Sequence, residues 1–223
     1  MGQTIALTAA DGFELGAYRA DPDGEPRGGL VVIQEIFGVN HHIRSVCDRF
    51  ADLGYAAVAP ALFDRQSRGF ETGYTDDDVA RAREFVTTVD FDAMLRDAGA
   101  AAGALAGTGR IGIVGYCLGG SIAFLAATRL DGFSAAVGYY GGRITAVADE
   151  TPRIPTQLHY GETDAHIPMN DVETVMAKRP DCDIHVYPAG HGFACDERAS
   201  FHAPSSTVAW CRTIRWFDEY LAG

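Results

Sequence analysis

Basic side chains are scarce in this chain: 18 Lys and Arg stand against 30 Asp and Glu, a formal net charge of −12. Nucleic acid and anionic membrane surfaces would be repelled by such a balance, so neither is expected as a partner. No apolar run is long enough to span a bilayer. Residues Met1-Gly2-Gln3-Thr4-Ile5 hold no basic stretch followed by an apolar core, so no secretory leader is expected and the cytoplasm is the expected compartment. Cysteine is confined to positions 47, 117, 182, 195 and 211, an odd and scattered set that fits reduced thiols rather than a disulfide framework. The seven histidines form no H-x-x-x-H or H-E-x-x-H, the cysteines no paired C-x-x-C, and adjacent His41 and His42 point apart on regular backbone. No metal site is expected. Fixed-period repeats, low-complexity tracts and dividing linkers are missing as well.

What is present is the pattern of one large α/β domain over residues 1–223. A chain of this length buries roughly 70% of its unfolded surface. Short apolar strands are predicted at 4–8, 13–19, 29–34, 55–59, 111–114, 135–139, 156–160 and 184–187. Helices are predicted at 42–53, 76–89, 92–105, 118–130, 170–178 and 204–221. Asp11-Gly12 joins the first two strands as a hairpin turn. Strand and helix then alternate, and the strands are almost continuously apolar, which calls for a mostly parallel central sheet with helices on both faces.

Gly115-Tyr116-Cys117-Leu118-Gly119-Gly120 falls where an apolar strand meets the next helix, and reads as a nucleophile elbow carrying a thiol. The glycines let strand and helix backbones pass close together, and the helix N-terminus aims N–H groups at the thiol, stabilising a thiolate and offering oxyanion donors. Partner groups follow in chain order. Asp164 ends the turn Gly161-Glu162-Thr163-Asp164 after one strand, and His191 tips the glycine-framed loop Gly190-His191-Gly192-Phe193 after the last strand. His191 would take the Cys117 proton, with Asp164 fixing its tautomer. The other six histidines lack that setting and read as surface or packing residues. Cys47, Cys182 and Cys211 read as packing residues, and Cys195, four residues past His191, as a small packing residue near the pocket.

Gln34-Glu35-Ile36-Phe37-Gly38-Val39-Asn40, Gly115 to Gly120 and Gly190 to Phe193 together resemble the motifs of the dienelactone hydrolases, members of the α/β-hydrolase superfamily, and the resemblance runs over nearly the whole chain. It implies the α/β-hydrolase fold and a hydrolase that opens dienelactone to a maleylacetate-type product without a cofactor. A small lactone or ester is the expected substrate, and a monomer or small homo-oligomer the expected state. Carried across, it makes Cys117 the nucleophile, His191 the base, Asp164 the acid, and the N–H groups of Ile36 and Leu118 the oxyanion hole. Glu35 becomes the resting partner of the thiol, and Arg81, Phe37 and Phe85 the substrate-binding set, with Arg83 an alternative equivalent to Arg81.

Two departures bear on substrate. Characterised members resemble His-Ser-Phe-Ala-Arg after the catalytic histidine, whereas this chain reads His191-Gly192-Phe193-Ala194-Cys195. The arginine that would grip a substrate carboxylate is gone, with Arg198 the nearby substitute. Phe85 also stands where the family resemblance expects a tyrosine. A family esterase with another substrate is therefore one alternative. A non-catalytic thiol-based binding or redox-sensing protein on the same fold is another.

Overall fold

The computed structural model describes residues 2–221, so positions 1, 222 and 223 of the domain expected over 1–223 lie outside it. Eight strands, β1 (Gln3–Thr8), β2 (Glu14–Ala20), β3 (Gly29–Ile33), β4 (Ala56–Pro60), β5 (Ile111–Tyr116), β6 (Ala135–Tyr139), β7 (Thr156–Gly161) and β8 (Asp183–Tyr187), form one sheet in the order β1-β2-β4-β3-β5-β6-β7-β8. β2 pairs antiparallel with β1 and β4, and every later pair is parallel. Six helices, α1 (His41–Asp52), α2 (Asp76–Val86), α3 (Phe91–Gly103), α4 (Leu118–Arg129), α5 (Met169–Lys178) and α6 (Ala203–Leu221), occupy the crossovers and the end.

Alternation along the buried strands sends side chains into two cores. Leu30 and Val32 of β3 meet Ile43, Val46 and Phe50 of α1 and Phe217 of α6 on one face. Val31 and Ile33 meet Met94, Leu95 and Ala98 of α3 and Ile122 of α4 on the other. With both faces covered, β3 to β6 have no polar side to show, which explains their apolar runs, while β7 buries Thr156, Gln157 and His159. The expected elements are all present. Two short 3-10 segments, Leu62–Arg65 and Gly142–Val147, were not anticipated, and their four and six residues are too few to set up a helical period.

α2 differs from the rest. Its N-terminus is firmly made: Thr75 Oγ1 accepts from the Asp78 amide, Asp78 answers through its carboxylate, and Asp76 and Asp77 complement the helix dipole. Yet Ala82 is its one buried residue. The helix ends at Val86, short of the expected Val89, with Thr87 capping it by backbone.

The parallel strands point their carboxyl ends the same way, so the segments after β3, β5, β6, β7 and β8 converge at one edge of the sheet. That edge is where open α/β sheets build their sites.

Candidate active site

Cys117 sits between β5 and α4 at φ 56° and ψ −113°, a conformation that costs a non-glycine residue about 1–3 kcal/mol and survives only where the surroundings enforce it. The enforcement is visible. The Cys117 amide donates to the Tyr139 carbonyl at 3.0 Å, and the Gly119 amide donates to the Gln34 carbonyl at 3.1 Å. A Cβ on Gly119 would lie 2.4 Å from the Ile33 carbonyl oxygen, and one on Gly120 would lie 2.3 Å from that of Tyr139. α4 is thus wedged against the ends of β3 and β6 at two glycines that no other residue could replace without moving backbone.

His191 Nε2 stands 3.1 Å from Cys117 Sγ, and His191 Nδ1 stands 2.7 Å from Asp164 Oδ2. The second carboxylate oxygen of Asp164 accepts from the amides of His166 and Ile167 at 2.8 and 3.2 Å, so the acid cannot swing away. Burial works against the Asp164 carboxylate, but the bond from His191 and the two amides outweigh it and hold it below the usual carboxylate range. Burial also opposes the His191 imidazolium. The neighbouring Cys117 and Asp164 charges prevail and raise it to about 10. These three groups can therefore take a proton from sulfur, hold it on nitrogen and return it.

Ile36 and Leu118 line the same cavity as Cys117 and His191. Among the described residues neither amide donates to a backbone or side-chain acceptor, so both remain available as donors in residues that line the cavity with Cys117. The cavity holds about 800 Å³. Val79, Val86, Val89 and Phe91 make an apolar wall, and Arg83, Arg143, His166 and Arg198 add polar groups.

Glu35 does not contact the thiol as the resemblance implied. Its carboxylate is buried and accepts from Arg198 Nη1 at 3.0 Å and from the Tyr74 hydroxyl at 3.4 Å, while the hydrogen-bond partner of Cys117 is His191. Arg198 lies over the rings of Phe37 and Tyr74. Phe37 lines the cavity and Phe85 does not: half-buried, it packs on Phe63 and Phe70 against the core. Arg81 also lies off the cavity, its guanidinium over Phe70, and Arg83 takes the place on the wall. Helical geometry explains the pair of corrections, since Arg81 and Phe85 share one stripe of α2 while Val79, Arg83 and Val86 share another.

Two groups in and around the cavity, His166 and Tyr74, were not expected there from the sequence. His166, read as a surface or packing residue, lines it and stands edge-on to His191 with ring centroids 5.1 Å apart. Tyr74 brings a phenol to Glu35 from the segment before α2, far from the position where a tyrosine was sought. Arg198, the substitute expected from the sequence, lines the cavity. A Cβ on Gly192 would come within 2.5 Å of its Nη1, so the glycine that replaces the family's serine makes the space Arg198 occupies. Cys195 is buried, and burial raises its thiol to about 12.

Comparison with known proteins agrees with this architecture. Residues 15–221 match the model of the dienelactone hydrolase family. A Yersinia pestis protein described as a candidate carboxymethylenebutenolidase is 35% identical, over 95% of this chain and 86% of its own. A Synechocystis protein described in the same way is 34% identical, over 98% and 97%. The crystal structure of a candidate dienelactone hydrolase from Klebsiella pneumoniae is 33% identical and superposes with a TM-score of 0.85, covering 98% of this chain and all of that one. With an eight-stranded α/β-hydrolase sheet and full-length relatives of one kind, the chain belongs to the dienelactone hydrolase family and is a carboxylic ester hydrolase.

Proposed function

We propose that this hydrolase acts on small lactones and esters that carry a carboxylate, with dienelactone the leading substrate, through a thioester on Cys117. The observation that carries the reading is the continuous relay from Cys117 Sγ to His191 to Asp164, at 3.1 and 2.7 Å, on a positive-φ elbow beside open amides. His191 removes the thiol proton, and the thiolate adds to the carbonyl carbon. The oxyanion that develops is met by the Ile36 and Leu118 N–H groups, each such donor being worth about 10²–10³ in kcat. Collapse breaks the bond to the ring or alkoxy oxygen, which leaves with the proton from His191. Water, deprotonated in turn by His191, then cleaves the thioester and restores the thiol.

Substrate charge is the second half of the reading. In a chain of net charge −12 an anionic substrate must be held by local cations. Arg198, which has guanidinium donors beyond the one given to Glu35, and Arg83, which has no carboxylate partner within 4.0 Å among the described residues, both line the cavity. Arg198 thus supports the role that Cys195 cannot fill, despite its different position in sequence.

The experiment is the hydrolysis of cis- and trans-dienelactone, followed by ultraviolet absorption, by wild type and Cys117→Ala beside a neutral aryl acetate. Dienelactone turnover that disappears in Cys117→Ala is the expected result. Full retention of the rate by that variant would refute the mechanism. A second reading, a family esterase with another substrate, is favoured by the cavity of about 800 Å³, a size suited to ligands much larger than one lactone ring. It predicts aryl acetate turnover without dienelactone turnover.

A further inference from the structure

Outside the triad, Glu35, His42 and Cys195 are all buried and bring a carboxylate oxygen, an imidazole nitrogen and a thiol sulfur within 4.8 Å of one another. They come from the turn after β3, the first turn of α1 and the loop after β8, so no ligand spacing in the sequence could reveal them. His42 supplies an independent sign that something is bound here. It is 1% exposed, its Nδ1 faces Asp196 at 3.3 Å, and its Nε2 is buried without a hydrogen-bond partner among the described residues. Native structures seldom leave such a nitrogen unsatisfied. The buried Tyr140 hydroxyl is likewise without a hydrogen-bond partner among the described residues. A second set, His42 with Asp196 and Glu197, overlaps the first. Its two carboxylates are 61% and 35% exposed and make an acidic approach from solvent to the buried trio.

We infer that Glu35, His42 and Cys195 form a binding site for a divalent ion of the zinc class. One imidazole, one thiolate and one carboxylate suit Zn²⁺ or Co²⁺ and not the all-oxygen preference of Mg²⁺ or Ca²⁺. Ligand atoms around a tetrahedral zinc stand roughly 3.3–3.8 Å apart, so side-chain adjustments of about 1 Å close the set. Binding exchanges the Cys195 S–H bond for a sulfur–metal bond and releases one proton to solvent, with no change of oxidation state. The Arg198 guanidinium, 3.0 Å from Glu35, opposes the incoming charge and makes this an exchangeable ion rather than a structural one. Since the ion competes with Arg198 for Glu35, it should inhibit hydrolysis of carboxylated esters. That consequence, unlike the site itself, rests on the role given to Arg198 above.

The test uses metal-stripped Cys117→Ala protein, in which the triad thiol cannot act as ligand. Co²⁺ is titrated in, followed by visible d–d and thiolate charge-transfer absorption and by thermal melting, and is then displaced with Zn²⁺. One saturating equivalent with a thiolate band and a rising Tm is expected. Adding Cys195→Ser should abolish the band and weaken binding at least about tenfold, and His42→Gln made separately should weaken binding while keeping the band. The site is overturned if the Cys195→Ser protein keeps both band and affinity. It is equally overturned if no saturable binding appears up to millimolar metal, in which case a buried water satisfies His42. Because binding is read directly, loss of the proposed ester chemistry would not bear on this outcome.

Discussion

Gly192→Ser tests how substrate charge is held. Gly192 lies at φ 75°, where a Cβ would stand 2.5 Å from Nη1 and 2.7 Å from Cζ of Arg198. The obstruction is the end of a flexible side chain, so the fold survives and the guanidinium moves. A serine in the left-handed region costs about 1–2 kcal/mol of stability. Displacing Arg198 breaks its 3.0 Å bond to Glu35 and removes the donors it turns to the cavity. A hydrogen bond to a charged group is worth about 1.5–3 kcal/mol, which corresponds to roughly tenfold to hundredfold in KM. The assay is a steady-state comparison of a carboxylated ester with a neutral aryl acetate on the same protein. KM for the first should rise by that factor while kcat/KM for the second stays within about twofold. Adding Cys195→Arg returns an arginine to the position where the family carries one and should recover part of the loss. An unchanged ratio between the two substrates in Gly192→Ser would refute Arg198 as the carboxylate anchor.

Arg83→Ala should raise KM for a carboxylated ester about tenfold, whereas Arg81→Ala, off the cavity, should leave it unaltered, and steady-state kinetics on both variants distinguishes the two. The alkaline limb of kcat/KM should fall near pH 10 as His191 loses its proton. Asp164→Asn removes a carboxylate that favours the imidazolium, so the same pH profile should show that limb shifted to lower pH. Arg65→Ala strands Asp97, whose side chain is fully buried and bonded to Arg65 at 2.7 and 2.9 Å. About 3 kcal/mol of stability should go with it, a fall of roughly 6–12 °C in Tm by calorimetry.

The juxtaposition of Cys117, His191 and Asp164 was legible because each lies at a junction that punctuates the chain: a glycine pair after an apolar run for Cys117, a turn for Asp164, a glycine-framed loop for His191. The sheet was legible for a related reason, since burial on both faces leaves strands such as Leu30 to Ile33 without a polar residue. α2 was not, because a helix with a single buried residue has no apolar stripe to fix its rotation, and residues two apart such as Arg81 and Arg83 then exchange faces. Glu35 was misplaced for want of its partners. Tyr74 and Arg198 reach it from 39 and 163 residues away, and no local pattern carries such a distance.

The light anchoring of α2 has a consequence for motion. The helix rests largely on its own caps and backbone, for only Ala82 is fully buried and the half-buried Phe85, against Phe63 and Phe70, is its main further tie to the interior. Opening free energy follows buried contacts, so this segment belongs to the least protected part of the molecule, while β5 and α4, which hold the sulfur, belong to the most protected. Val79, Arg83 and Val86 therefore form a wall that can peel back and return without disturbing the relay behind it. The cavity can then admit and release a ligand while Cys117, His191 and Asp164 stay in register.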